Sequence, residues 1–230
     1  YQFKSNATKC IPVQEGFYQS GPTTQVECPA GTFGIGCKNC PLGYARNGND
    51  HDATKCQQCQ SGETTIIEGA ATCEKCELGS YGNFKGSCSV CLAGQYQDGK
   101  GETSCKQCGV DTYLTEEGRS SNADCIKCND QKSTGQQNGA VAESSCLCRS
   151  GDYYQKHEDL ARTCMPCPIG SNCSAKNGIN IRDVYANKGY WQLENITNQY
   201  IPCSAAFSDK KLADAASLRC CPEEAHCHVV

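Results

Sequence analysis

Residues Cys91 to Cys108 read CLAGQYQDGKGETSCKQC. A cysteine is followed at fixed offsets by Gly94 and Tyr96, then by the turn-rich run Gln97-Asp98-Gly99-Lys100-Gly101, and the stretch closes on a C-x2-C pair. The chain repeats this unit. C-x2-C pairs begin at Cys37, Cys56, Cys73, Cys88, Cys105, Cys125 and Cys164, with a C-x-C variant at Cys146 and Cys148. Self-similarity at a short fixed period outranks any local reading of secondary structure, because it marks a tandem array.

Most pairs are followed by x2-Gly-x-aromatic. Gly79 with Tyr81, Gly94 with Tyr96, Gly151 with Tyr153, and Gly31 with Phe33 after Cys28 fit fully. Gly43-Tyr44 is one residue short, Asp111 stands in place of Gly before Tyr113, and Gly62 and Gln131 lack the aromatic. A glycine after the cysteine permits a turn, and the ring provides apolar cover for the neighbouring disulfide. The segments between are too short for helices and rich in turn formers. Each unit is therefore expected to be a small irregular β-hairpin.

Composition agrees with a stapled scaffold. Leu, Ile, Val and Phe number 32 of 230 residues, below the roughly 20% at which chains sustain an ordinary core. The 23 cysteines, one residue in ten, replace that core with crosslinks. The expected fold is small and disulfide-rich, built of irregular β-hairpins in an elongated tandem-repeat rod with a small C-terminal domain. We divide the chain into a lead-in at 1–27, about eight repeats of 15 to 21 residues at 28–167, and a C-terminal domain at 168–230. The last contains Trp191 and the one plausible helix, Ala205 to Arg219.

Two connectivities suit the spacing. A ladder joins Cys28 to Cys37, Cys40 to Cys56, Cys59 to Cys73, Cys76 to Cys88 and Cys91 to Cys105. It continues with Cys108 to Cys125, Cys128 to Cys146, Cys148 to Cys164 and Cys167 to Cys173. An interleaved scheme joins Cys37 to Cys56 and Cys40 to Cys59, and spacing alone leaves both open. The ladder leaves Cys10, Cys203, Cys220, Cys221 and Cys227. The odd total makes one of Cys10, Cys220 and Cys221 the candidate for an intermolecular or unpaired cysteine.

Other chemistry is poorly served. Cys37, Cys40, Cys56 and Cys59 have zinc-ribbon spacing, yet they sit in an unbroken series with variable loops, so no metal or cofactor is expected. His51, His157, His226 and His228 form no hydrolytic motif. Asn47, Asn49, Asp50 and Asp52 carry oxygen ligands without an EF-hand spacing and read as turn formers. With 21 basic and 25 acidic residues interspersed, no basic stripe exists for nucleic acid. No apolar run approaches the roughly 20 residues that span a bilayer. The start at Tyr1 reads as that of a mature or partial product. Sequons at Asn6, Asn172 and Asn195 accord with an exported chain carrying N-linked glycans.

The stretches CLAGQYQDGKGETSCKQC and CLCRSGDYYQKHEDLARTCMPCP resemble ephrin-receptor-like cysteine-rich repeats, themselves broadly similar to tumour necrosis factor receptor modules. The continuation CPIGSNCS with GYWQ and YIPC resembles the tail accompanying such repeats in large surface proteins of algae and other protists. The resemblance covers Cys28 to Cys203 and implies an extracellular fold, secreted or cell-surface. It accommodates structural, adhesive and receptor roles alike. The sequence thus points to a non-catalytic structural or adhesive glycoprotein whose partners are copies of itself or other extracellular proteins. A receptor ectodomain is the alternative.

Overall fold

A residue after each Cys-x2-Gly turn enters a two- or three-residue strand that returns through the C-x2-C pair, and this event recurs along the chain. The computed structural model describes residues 12–21, 24–49, 52–83, 85–156, 162–192 and 199–202. Cys10, Cys203, Cys220, Cys221, Cys227, Asn6, Asn195, the four histidines and the expected helix at 205–219 lie outside these residues.

The described residues form eleven two-stranded antiparallel sheets, each a hairpin of consecutive strands. The first four are β1 (Phe17–Gln19) with β2 (Gln25–Glu27), β3 (Thr32–Phe33) with β4 (Lys38–Asn39), β5 (Tyr44–Ala45) with β6 (Gln57–Gln58), and β7 (Glu63–Thr64) with β8 (Glu74–Lys75). Then come β9 (Ser80–Gly82) with β10 (Cys88–Val90), β11 (Gln95–Tyr96) with β12 (Lys106–Gln107), and β13 (Thr112–Tyr113) with β14 (Ile126–Lys127). The last four are β15 (Lys132–Ser133) with β16 (Leu147–Cys148), β17 (Tyr153–Gln155) with β18 (Cys164–Pro166), β19 (Ser171–Asn172) with β20 (Tyr185–Ala186), and β21 (Tyr190–Gln192) with β22 (Tyr200–Pro202). The described parts of the lead-in and of the segment after Cys167 thus also form hairpins.

Register is shared. In β11–β12 Gln95 faces Gln107, one residue before Cys108. In β1–β2 Phe17 faces Glu27, one residue before Cys28. Where a glycine precedes the first strand it adopts a positive φ, +79° at Gly31 and Gly94 and +91° at Gly62. Only a residue without a Cβ enters that region freely. Asp111 holds the same conformation at +59°, and its Oδ1 accepts from Ser133 Oγ at 2.6 Å and from the Thr134 N–H at 3.1 Å.

The chain divides into two compact units. One comprises 1–107 with 116–124, and the other 108–115 with 125–230. Within the first, Gly69 donates its N–H to Cys40 O, Gly101 to Cys76 O and Gly118 to Cys91 O, at 2.8 to 2.9 Å. Within the second, Gly139 donates to Cys108 O and Gly178 to Cys148 O. Each loop glycine therefore grips the carbonyl of the cysteine that opens the preceding hairpin.

Contacts in the first unit also skip a hairpin. A Cβ on Gly31 would stand 1.9 Å from Gly69 O, one on Gly62 2.0 Å from Gly101 O, and one on Gly79 2.1 Å from Gly118 O. These glycines let two backbones meet where any side chain would separate them.

The inward position three residues after the opening glycine, or after Asp111 and Gln131 in its place, is filled by Arg46, Thr65, Gln97, Leu114 and Thr134, all buried. In the second unit one apolar cluster gathers Cys173, Ile179, Ile181 and Val184 with Tyr154, Cys167 and Tyr200. Its position has a simple cause. In β19–β20, Ser171 faces Ala186 and Asn172 faces Tyr185, as Lys132 faces Cys148 and Ser133 faces Leu147 in β15–β16. Val184 and Ala186 therefore stand where Cys146 and Cys148 stand in the earlier hairpin, and packing takes over from a crosslink.

Candidate functional site: disulfide ladder and exposed turns

Nine disulfides join the described cysteines. They are Cys28–Cys37, Cys40–Cys56, Cys59–Cys73, Cys76–Cys88 and Cys91–Cys105, then Cys108–Cys125, Cys128–Cys146, Cys148–Cys164 and Cys167–Cys173. The seven from Cys40–Cys56 to Cys148–Cys164 connect the second cysteine of one pair to the first of the next, while the two outer bonds involve the lone Cys28 and Cys173 and close shorter loops of separation 9 and 6. The interleaved scheme is not the one adopted. With separations of 12 to 18 for most, each bond contributes about 3 kcal/mol by restricting the unfolded chain.

This arrangement decides the fate of the zinc-ribbon quartet. Cys37 is bonded to Cys28, Cys40 to Cys56 and Cys59 to Cys73, so their sulfurs have no thiolate to offer a metal or a substrate. Among the described residues no cluster of three His, Cys, Asp or Glu side chains is placed to hold a metal ion. The Asn47 to Asp52 stretch makes turns. Asn47 Oδ1 accepts from the Asn49 N–H at 2.9 Å, and Asp52 Oδ1 accepts from the Thr54 N–H at 3.1 Å and from the Thr54 hydroxyl. Those two bonds from Thr54, the hydroxyl's first, hold the Asp52 carboxyl below the usual carboxylate range. Among the described residues no helix is long and apolar enough to cross a membrane.

Arg46 is the one fully buried cation among the described residues. Its Nη1 donates to Cys28 O at 2.8 Å and to Pro29 O and Thr32 O at 3.3 Å. Nε donates to Asp52 O at 3.2 Å, and Nη2 pairs with Glu27 at 3.0 Å. A planar fork with donors in several directions suits a loop of converging carbonyls. Arg46 thus binds the loop that opens the second hairpin. Nothing in its sequence context distinguishes it from a surface arginine, and its signal is its register, three residues after Gly43.

Beyond this framework lie the surfaces available to a partner. In the first unit Leu42, Leu78 and Leu92 are exposed on the turns between an opening cysteine and its glycine, and Ile66 and Ile67 are exposed side by side in a loop. In the second, Val110 and Ile169 occupy the same turn position, with Ile169 88% exposed. Single exposed aliphatics are ordinary. Recurrence two residues after the opening cysteine, at Leu42, Leu78, Val110 and Ile169, with Leu92 one residue earlier in its turn, is what makes these turns a candidate contact surface. The first unit also carries an open groove of about 300 Å³ between neighbouring hairpins, lined by Asn47, Gln57, Gln58, Gln60 and Glu63.

Of the sequons, Asn172 is described. It sits half-buried in β19, and its Oδ1 accepts from the Ser174 N–H at 2.8 Å and from Ser174 Oγ at 2.5 Å. Tyr200, from β22, donates its hydroxyl to Val184 O at 3.2 Å. Burial, and secondarily the neighbouring Tyr154, push its pKa up to about 12.

No curated protein matches the chain. Residues 79–125 match the family model described as tyrosine-protein kinase ephrin type A/B receptor-like. That span runs from the opening glycine of β9–β10 to the cysteine before β14 and encloses the bonds Cys91–Cys105 and Cys108–Cys125. The disulfide density and the match together point to an extracellular module, and the stretch 79–125 is similar to the cysteine-rich repeats of that ephrin-receptor-like family.

Proposed function

We propose that the protein is a non-catalytic structural or adhesive glycoprotein of the extracellular space, secreted or held at the cell surface, which assembles with copies of itself or with other extracellular proteins. The observation that supports this most directly is the way each hairpin is built to receive the next. Loop glycines donate to the opening cysteine of the hairpin before, as Gly101 does to Cys76 and Gly178 to Cys148. A device of this kind has no natural stopping point, and repeat arrays end only where they are capped or joined. Aliphatic side chains on exposed turns supply further contact points. Head-to-tail association of unlike ends gives open filaments when the operation does not close.

Non-reducing electrophoresis and negative-stain imaging of the glycosylated, oxidised protein test the reading. Polymers or ordered filaments support it, and a strictly monomeric protein at high concentration refutes self-assembly.

A second reading, the ectodomain of a receptor or ligand-binding module, draws on the family match, whose description is that of a receptor. A membrane-spanning segment encoded downstream of Val230 would favour it. Intact mass before and after reduction and deglycosylation counts bonds, free thiols and sugars for either.

A further inference from the structure

The sequon Asn172-Cys173-Ser174 has a cysteine as its middle residue, and that cysteine is the closing member of the Cys167–Cys173 bond. We infer that Asn172 is an N-glycan acceptor whose occupancy is set by competition between sugar transfer and closure of this disulfide. The inference rests on the reading of the protein as an exported glycoprotein.

In the folded chain the middle residue of the sequon is withdrawn from any transferase, while Asn172 is half-buried and Ser174 exposed. Asn172 is paired with Tyr185 across β19–β20. Cys173 is 1% exposed within the cluster of Ile179, Ile181 and Val184, and its carbonyl accepts the Gly151 N–H at 3.0 Å. A transferase must bind the sequon as an accessible extended segment, which requires Cys173 to leave the cluster and the hairpin to open. With the disulfide formed, the segment between Cys167 and Cys173 is a closed ring that cannot extend. Before it forms, only the hairpin and its noncovalent packing restrain the segment, and an isolated two-stranded hairpin is marginal in water.

Once the segment is open, its local chemistry suits the reaction. The Asn172 carbonyl oxygen is already drawn onto Ser174 N and Oγ, a turn in which Nδ2 takes no part. Among the described residues Nδ2 makes no hydrogen bond. In the transfer, Nδ2 attacks the anomeric carbon of a sugar carried on a polyisoprenyl diphosphate. The C–N bond forms as the C–O bond to the diphosphate breaks, the lipid diphosphate leaves with the electron pair, and the amide nitrogen loses one proton. In the competing step the two thiols lose two protons and two electrons to a disulfide oxidant of the secretory compartment. Its separation of 6 is the shortest of the nine, so this ring can close soonest after both cysteines emerge.

The test expresses the full chain in a eukaryotic secretory host and measures glycan occupancy at Asn6, Asn172 and Asn195 by glycopeptide mass spectrometry. Total cellular and secreted protein are pooled so that retention of a variant does not hide the result. Wild type is expected to be only partly occupied at Asn172. Cys167→Ser, which leaves the sequon intact, raises that occupancy at least twofold, as does a dithiothreitol pulse during synthesis, while Asn195 is unchanged. Cys173→Ala, which keeps an Asn-x-Ser sequon, does the same. Equal occupancy at Asn172 in wild type, in both variants and under reductant overturns the inference while leaving the extracellular reading standing. So does an empty Asn172 in every case beside an occupied Asn195. Absence of glycan at all three sites together with failure of export overturns the extracellular reading and this inference with it.

Discussion

Replacing Gly62 by alanine isolates the energy of the contact that skips a hairpin. The new methyl would lie 2.0 Å from Gly101 O, and reaching ordinary contact requires the two backbones to part by roughly 1.4 Å, far more than a packed interior yields without loss. Two hydrogen bonds stand in the way, Gly101 N–H to Cys76 O at 2.9 Å and Gly82 N–H to Glu102 O at 2.8 Å. Each contributes about 1 kcal/mol net. The φ of +91° adds about 1–2 kcal/mol for any L-residue. The expected loss is about 3–4 kcal/mol. Gly36→Ala supplies the control in the same unit, because Gly36 has φ +73° and no atom lies within 4 Å of where its methyl would stand, so it carries only the backbone cost of about 1–2 kcal/mol. Calorimetry of the oxidised proteins should place the Gly62→Ala transition about 4–8 °C below that of Gly36→Ala. If opening is local, as in quasi-one-dimensional arrays, hydrogen exchange at the Gly82 and Gly101 amides should accelerate selectively. Equal shifts for the two variants, with no selective exchange, would refute the claim that these glycines hold hairpins together.

Other consequences are as specific. Arg46→Met should cost about 3 kcal/mol or more in denaturant titration, because it strands buried carbonyls of the Cys28 to Thr32 loop, whereas Glu27→Gln, at a partly exposed partner, should cost under about 1 kcal/mol. Val13→Cys with Gln25→Cys should form one further disulfide, detected as the loss of two hydrogens by mass. By register these residues occupy a cysteine pair's places, and the Gln25 amide now bridges Pro12 O and the Gln14 N–H; two persistent thiols would show the register to be wrong. For Tyr200 the folded pKa lies above the ordinary value of 10.0, so between pH 10 and about 12 the unfolded chain binds fewer protons than the folded one. Its contribution to stability is complete below pH 10 and declines across that window. Absorbance at 295 nm should reveal one tyrosine titrating late, absent in Tyr200→Phe.

Much of this was legible from cysteine spacing. Two residues between paired cysteines leave room for one extended strand, and a glycine three positions on can only mark a turn, so the hairpins followed. Loop glycines 69, 101, 118, 139 and 178 escaped, because their distance to the next cysteine varies. It is four residues for Gly69 and Gly101 but seven for Gly118 and Gly139, where three-residue 3-10 turns at Asn122–Asp124 and Glu143–Ser145 take up the extra length. After Cys167 the cysteine rhythm changes, yet among the described residues hairpins continue to β22, because Val184 and Ala186 keep the register of cysteines while offering no sulfur. Arg46 was invisible for a different reason: its carbonyl partners are backbone atoms, which no side-chain motif records. The surface turns carrying Leu42, Leu78 and Val110 lay in plain view within the repeat but read there as loop.

The ladder also fixes how the molecule answers a pull along its backbone. Tension entering at Cys59 crosses the sulfur bridge to Cys73, a Cα separation of 5.7 Å, then runs along three peptide steps to Cys76 before crossing again. Each repeat can therefore lengthen to only about 16 Å, whereas the same residues reduced would reach roughly 55 Å. The loops carry no load. An oxidised chain of this design is a nearly inextensible tether, and a reducing agent is what would make it stretch.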